Sequence, residues 1–138
     1  MDDEAYLQRH FADPEPGPRF EFHSVHGATL YFADFDAAVG YYTEVLGEPA
    51  YVEGTGTRGW RIGESWLTLL AGGDGAPANT EIGFAVESAA EAERLQAAFI
   101  AAGGTGPEPT DALMYRPVRV CPVTDPFGTS LLVYAPLR

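Results

Sequence analysis

The sequence predicts an α+β domain of two tandem β-α-β-β-β modules, with helices on the outer face and a curled mixed sheet around a cleft. Three observations carry that expectation. Residues 27–47 run as a period-two strand and then a capped amphipathic helix ending at glycine, and residues 81–104 repeat the programme. The two copies keep a fixed offset of 54 residues (Gly27 to Glu81), which aligns Leu30 with Phe84, Phe32 with Val86 and Leu46 with Ile100. Each copy is then followed by short strand-like stretches between turns rich in glycine and proline. A helix covers one face of its own strands, so the other face is left to line a cleft.

In chain order, residues 1–12 predict a short helix with Tyr6, Leu7 and Phe11 as its apolar positions, ended by the DPEPGP run at 13–18. Residues 1–21 read as an N-terminal arm and 22–138 as one domain, with module one at 22–71, a linker at 72–79 and module two at 80–138. In the first strand Ala28, Leu30 and Phe32 alternate with Gly27, Thr29 and Tyr31. Asp34 and Asp36 offer helix N-caps, Val39, Tyr42, Val45 and Leu46 form the stripe, and Gly47 closes the helix. Residues 50–53 predict a short strand, 54–59 a turn, and 60–62 with 66–70 a hairpin turning at 63–65. In the second copy Ile82, Phe84 and Val86 alternate with Glu81, Gly83 and Ala85; Ser88 and Glu91 make a capping box, and Ala92, Leu95 and Phe99 form a stripe ending at Gly103. Strands follow at 113–115, 118–123 and 129–134, the last two joined by a type I turn at Asp125-Pro126-Phe127-Gly128.

Charge narrows the partners. Twenty acidic residues stand against eight arginines and no lysine, a net charge of −12. That field repels nucleic-acid backbones, favours a cationic ligand, and makes a well-solvated surface. No apolar run approaches the ~20 residues of a membrane span, and the acidic N-terminus has no apolar signal core, so the expected location is cytoplasmic. The single cysteine, Cys121, rules out an intrachain disulfide and, between Val120 and Pro122, reads as a small core residue.

The Tyr-Tyr-Thr-Glu-Val-Leu-Gly run at 41–47, behind a strand and Asp34-x-Asp36, together with the Asp125–Gly128 turn before a closing strand, resembles the vicinal oxygen chelate superfamily. That group includes glyoxalase I, extradiol dioxygenases, fosfomycin-resistance transferases and bleomycin-resistance proteins. The resemblance covers about residues 22–136 and implies eight strands curled around a shared cleft, often completed by a homodimer. Metal-dependent members carry ligands at four positions, which fall here on Gly27, on Leu67 or Thr68, on Glu81 and on Leu132. Only Glu81 offers a donor, and a divalent ion needs several. No metal or other cofactor is therefore expected, and the chain resembles the metal-free, bleomycin-resistance-like branch. His23-x-x-His26, with His10 upstream, reads as water- or backbone-satisfied rather than as a metal site.

What remains for a site is the cleft, with no catalytic residue assigned. Its expected walls are Thr29, Tyr31, Glu81, Leu132 and Tyr134, with Trp60, Arg61, Trp66, Tyr115 and Arg119 at the edges. Aromatic walls with few polar groups suit a flat amphipathic small molecule, and a desolvated Glu81 would meet its cation or pair with Arg61 or Arg119. The expected function is sequestration of an aromatic or cationic compound. The alternatives are a glyoxalase- or dioxygenase-like metal enzyme, metal-free acid–base chemistry at Glu81 with a cleft tyrosine, and an interaction module without a ligand.

Overall fold

The computed structural model describes residues 3–18, 26–73, 81–114 and 116–138. The element order is α1 (Asp3–His10), β1 (Gly27–Phe32), α2 (Phe35–Leu46), β2 (Tyr51–Glu53), β3 (Thr57–Ile62), β4 (Ser65–Ala71), β5 (Glu81–Ala85), α3 (Ala89–Ala101), β6 (Thr110–Leu113), β7 (Pro117–Thr124) and β8 (Ser130–Pro136). The eight strands form two four-stranded sheets, ordered β1-β4-β3-β2 and β5-β8-β7-β6. In both sheets the outermost first strand pairs in parallel with the last strand, and the other pairs are antiparallel. The duplication read from the sequence is thus a duplication of topology. The strand expected at 113–115 forms slightly earlier, as β6, where Ala112 pairs with Val118. Residues 74–80, most of the expected linker, lie outside the described residues.

Local signals set the element ends. The Asp34 side chain accepts from Ala37 N–H at 3.2 Å and caps α2, while Gly47 ends it at φ +90°, a backbone setting that favours glycine. Ser88 accepts from Glu91 N–H and caps α3, but the Glu91 carboxylate turns to Arg94. At the last turn Gly128 N–H donates to Asp125 C=O at 3.2 Å, the bond expected of a β-turn.

The helix stripes differ from the expected ones because each helix packs on more than its own sheet. In α2 the buried residues are Phe35, Ala38, Tyr41 and Tyr42, whereas Val39, Val45 and Leu46 are only partly buried. Tyr41 O–H donates to Phe99 C=O on α3 at 3.0 Å, and Tyr42 O–H donates to Asp125 Oδ2 at 2.7 Å. The two motifs that looked independent in the sequence therefore clasp each other and join the modules into one core. In α3 a buried Gln96 takes the place expected for Leu95, its amide donating to Pro107 and Pro122 carbonyls, both at 2.9 Å.

Burial of this clasp makes stability depend on alkaline pH. Burial first, then the Asp125 and Glu44 charges, push the Tyr41 phenol from its ordinary value of 10.0 up to about 12. Burial, with Asp125 second, pushes Tyr42 higher still. Unfolded tyrosine sheds its proton first, so this contribution is whole below pH 10 and is lost as pH rises through about 12. Titration followed by circular dichroism and tyrosinate absorbance should show unfolding coupled to a late tyrosine ionisation. Complete tyrosine ionisation with the fold intact would contradict this.

The described part of the N-terminal arm is docked. Asp3 pairs with Arg138 at 3.1 Å, and Tyr6 is buried. Tyr6, His10 and Phe11 enclose a space with Leu113 and Met114 at the β6 end of the second sheet.

Candidate functional site

Strand alternation places Leu30 and Phe32 of β1, and Ile82 and Phe84 of β5, against the helices. The opposite faces, carrying Thr29, Tyr31, Glu81 and Gly83, stay exposed. Where β1 and β5 approach one another an open cavity of about 590 Å³ forms, lined by residues 27–31 of one module and the corresponding 81–84 of the other. Its remaining wall comes from the β3–β4 hairpin, with Ile62, Ser65, Trp66 and Leu67. The site is therefore built on the repeat itself.

One side of the mouth is a layered aromatic platform. The Arg61 guanidinium lies over the Trp66 ring at 4.3 Å from its centroid, and the Tyr51 ring stands edge-on to Trp66 at 6.3 Å. Tyr51 O–H donates to Glu53 at 2.9 Å, which keeps its phenol above the ordinary range. Gly59 makes the seat: a Cβ there would meet Trp66 Cε3 and Tyr51 Cβ, each at 3.3 Å. Gly83 serves the second module alike, with Tyr134 Cε1 at 3.4 Å from the position of an added Cβ.

The structure brings together Thr29, Tyr31, Trp66 and Glu81 as cavity lining; Arg61 does not line the cavity and adjoins it only by lying over Trp66. Glu81 is exposed rather than desolvated, and neither Arg61 nor Arg119 pairs with it. Leu132 and Tyr134 are partly buried on β8, paired with Gly83 and Ala85; they adjoin the lining residue Gly83 but do not themselves line the cavity. Trp60 is 3 % exposed and faces α2, donating its indole N–H to Gly47 C=O at 2.8 Å, because it pairs with core residue Leu67. Arg119 shares its strand face with Cys121 and binds Asp111 and Glu93, the latter on α3, so it lies on the helix side. Tyr115 lies outside the described residues. Sequence reasoning missed Ile62, Ser65 and Gly83 and set the lining residues Leu30, Ile82 and Phe84 against the helices alone; the offset from Thr29 was the signal available for Gly83.

The residues at the family's metal positions do not fit a metal. They supply one carboxylate, Glu81, beside partly buried Leu132 and Thr68 and core residue Leu67. Gly27 sits at φ +155°, and a Cβ there would lie 1.8 Å from the Trp66 carbonyl oxygen, so the backbone leaves no room for a ligating side chain. Among the described residues no three histidine, cysteine or acidic side chains converge. The His10 ring packs at a tilt against Tyr6, centroids 5.0 Å apart, His26 is exposed with its carbonyl accepting from Trp66 N–H at 2.9 Å, and His23 lies outside the described residues. Cys121 is fully buried, and burial, with Glu93 second, pushes its thiol up, as suits a core residue rather than a nucleophile.

Residues 23–133 match the family model for the glyoxalase/bleomycin resistance protein/dioxygenase superfamily. No protein of curated function matches the sequence. Among solved structures, a glyoxalase/bleomycin resistance protein from Albidiferax ferrireducens is 20% identical, with a TM-score of 0.66 over 78% of this chain and 95% of that one. A glyoxalase/bleomycin resistance protein/dioxygenase from Nocardioides is 17% identical, with a TM-score of 0.67 over 99% and 93%. Lactoylglutathione lyase from Agrobacterium tumefaciens is 21% identical, with a TM-score of 0.62 over 81% and 92%. At these identities the likeness is one of fold. Among the described residues no helix is long and apolar enough to cross a membrane.

Proposed function

Because the chain belongs to the glyoxalase/bleomycin resistance protein/dioxygenase superfamily, we propose that it uses the family cleft to bind a small ring-bearing molecule reversibly, by shape and charge and without a resident metal. The observation that carries this reading is the cavity of about 590 Å³ between β1 and β5, with Tyr31 and Trp66 as aromatic walls. Reversible binding needs only a complementary cavity of this size, whereas polarising vicinal oxygens needs a coordinated ion. Sequestration of a toxic compound in the cytoplasm, as in antibiotic resistance, is the role this suits. A homodimer belongs to the same proposal, since Val52 and Tyr31, 59 % and 51 % exposed, offer apolar surface to a second copy.

Native mass spectrometry with elemental analysis, on protein from its source, tests metal, ligand and subunit number together. The expected result is a metal-free dimer that retains or takes up an organic ligand. Trp66→Ala should loosen that ligand by about tenfold or more, since a lost aromatic wall removes over ~1.4 kcal/mol. A stoichiometric divalent ion required for binding would overturn the reading in favour of a metal-dependent enzyme.

A further inference from the structure

We infer that the ligand is a planar ring carrying a carboxylate at one end and a positive charge at the other, with Arg61 receiving the carboxylate and Glu81 the cation. The inference rests on the cleft-binding reading above and names the chemistry of its ligand.

Arg61 stands apart from the other cations. Arg58 donates to the Gly54 and Thr57 carbonyls, Arg94 to Glu91, Arg116 to the Arg138 carbonyl, Arg119 to Asp111 and Glu93, and Arg138 to Asp3. Arg61 makes no hydrogen bond or ion pair among the described residues, although the chain has twenty carboxylates. Arg9, the other such arginine among the described residues, sits on α1 and does not line the cavity. What Arg61 does instead is lie over Trp66.

That posture has a chemical consequence. Stacking uses the face of a guanidinium and leaves its five in-plane N–H donors along the edge, the geometry that grips a carboxylate through two parallel bonds. Because Trp66 itself lines the cavity, a ring entering there meets indole and guanidinium edge together. The stacked arginine is also partly immobilised before binding, which lowers the entropy lost on capture.

Glu81 supplies the other pole. It lines the same cavity from the second module, is exposed, and has no hydrogen-bond or ion-pair partner among the described residues. Strand β3 is two strand spacings from β1, roughly 10 Å, and β5 lies beyond. Both side chains are long and flexible, so a substituted ring seated on Trp66 would have one charge to either side of it. A dianion is disfavoured, because Glu81 and the net charge of −12 oppose a second negative group.

Isothermal titration calorimetry at low salt with three probes on one ring tests this: 4-(aminomethyl)benzoate, 4-methylbenzoate and 4-methylbenzylamine. The zwitterion should bind about tenfold tighter than either singly charged probe. Arg61→Gln should loosen the two carboxylate probes by about tenfold and leave 4-methylbenzylamine within about twofold; Glu81→Gln should do the reverse. Arg94→Gln, a surface variant on α3, should change nothing. Equal affinity for all three probes, or equal weakening of all three by Arg61→Gln, overturns the charge assignment while leaving cleft binding intact. Silence from all three probes also overturns it, and the mass-spectrometric experiment on source protein decides the binding reading separately.

Discussion

Asp125→Ala is expected to destabilise the fold by about 3–5 kcal/mol, the range for breaking a buried hydrogen-bond network around a charge. The carboxylate is only 4 % exposed, yet it accepts from three donors: Phe127 N–H at 2.9 Å, Thr129 N–H at 2.8 Å and Tyr42 O–H at 2.7 Å. Alanine leaves those donors without their acceptor, at the point where α2 of module one meets the last turn of module two. Urea unfolding should show the loss. Tyr42→Phe removes only one bond and should cost about 1–3 kcal/mol. The double variant should cost less than the sum, because both changes break the same contact. Strict additivity would mean that the clasp contributes nothing of its own.

Gly27→His is the second substitution with a large expected effect. It places histidine at the position where the resemblance puts a metal ligand, and it should lower stability by at least about 3 kcal/mol rather than recruit an ion. The reason is local: the new Cβ would sit 1.8 Å from the Trp66 carbonyl, on the register pair that begins the β1–β4 ladder. Gly40→Ala is the control, because nothing lies within 4 Å of an added Cβ there and a helical glycine-to-alanine change stabilises by about 0.5–1 kcal/mol. Differential scanning calorimetry with and without added zinc or nickel reads both outcomes. Tight ion uptake by a stably folded Gly27→His variant would show that the donor set can be completed after all.

The misplacement of Trp60 traces to one turn. A three-residue turn at 63–65 would set Trp60 and Trp66 on the same face of the hairpin. The turn is two residues, Gly63 and Glu64, so Trp60 pairs with Leu67 and Arg61 with Trp66. A slip of one residue exchanges faces. Hence Trp60 is core and Trp66 is cavity wall. Arg119 was legible and missed: it lies two residues from Cys121, so alternation already put it on the helix side. Gln96 and Tyr41 were not legible, because their partners lie 26 and 58 residues away.

The amino-acid sequence by itself determined the elements and their duplication. Capping by Asp34 and Ser88, closure at Gly47 and the turn at Asp125 are set by neighbours a few residues apart, and the 54-residue repeat needs no coordinates. Tertiary structure alone decided the hairpin register that opens Trp66 and buries Trp60, how the Tyr41–Tyr42 pair ties the modules, and that β1 and β5 leave a cavity between them. The physical reason is range. Backbone conformation answers to adjacent side chains, whereas facing and contact depend on register and on hydrogen bonds formed only after distant segments meet.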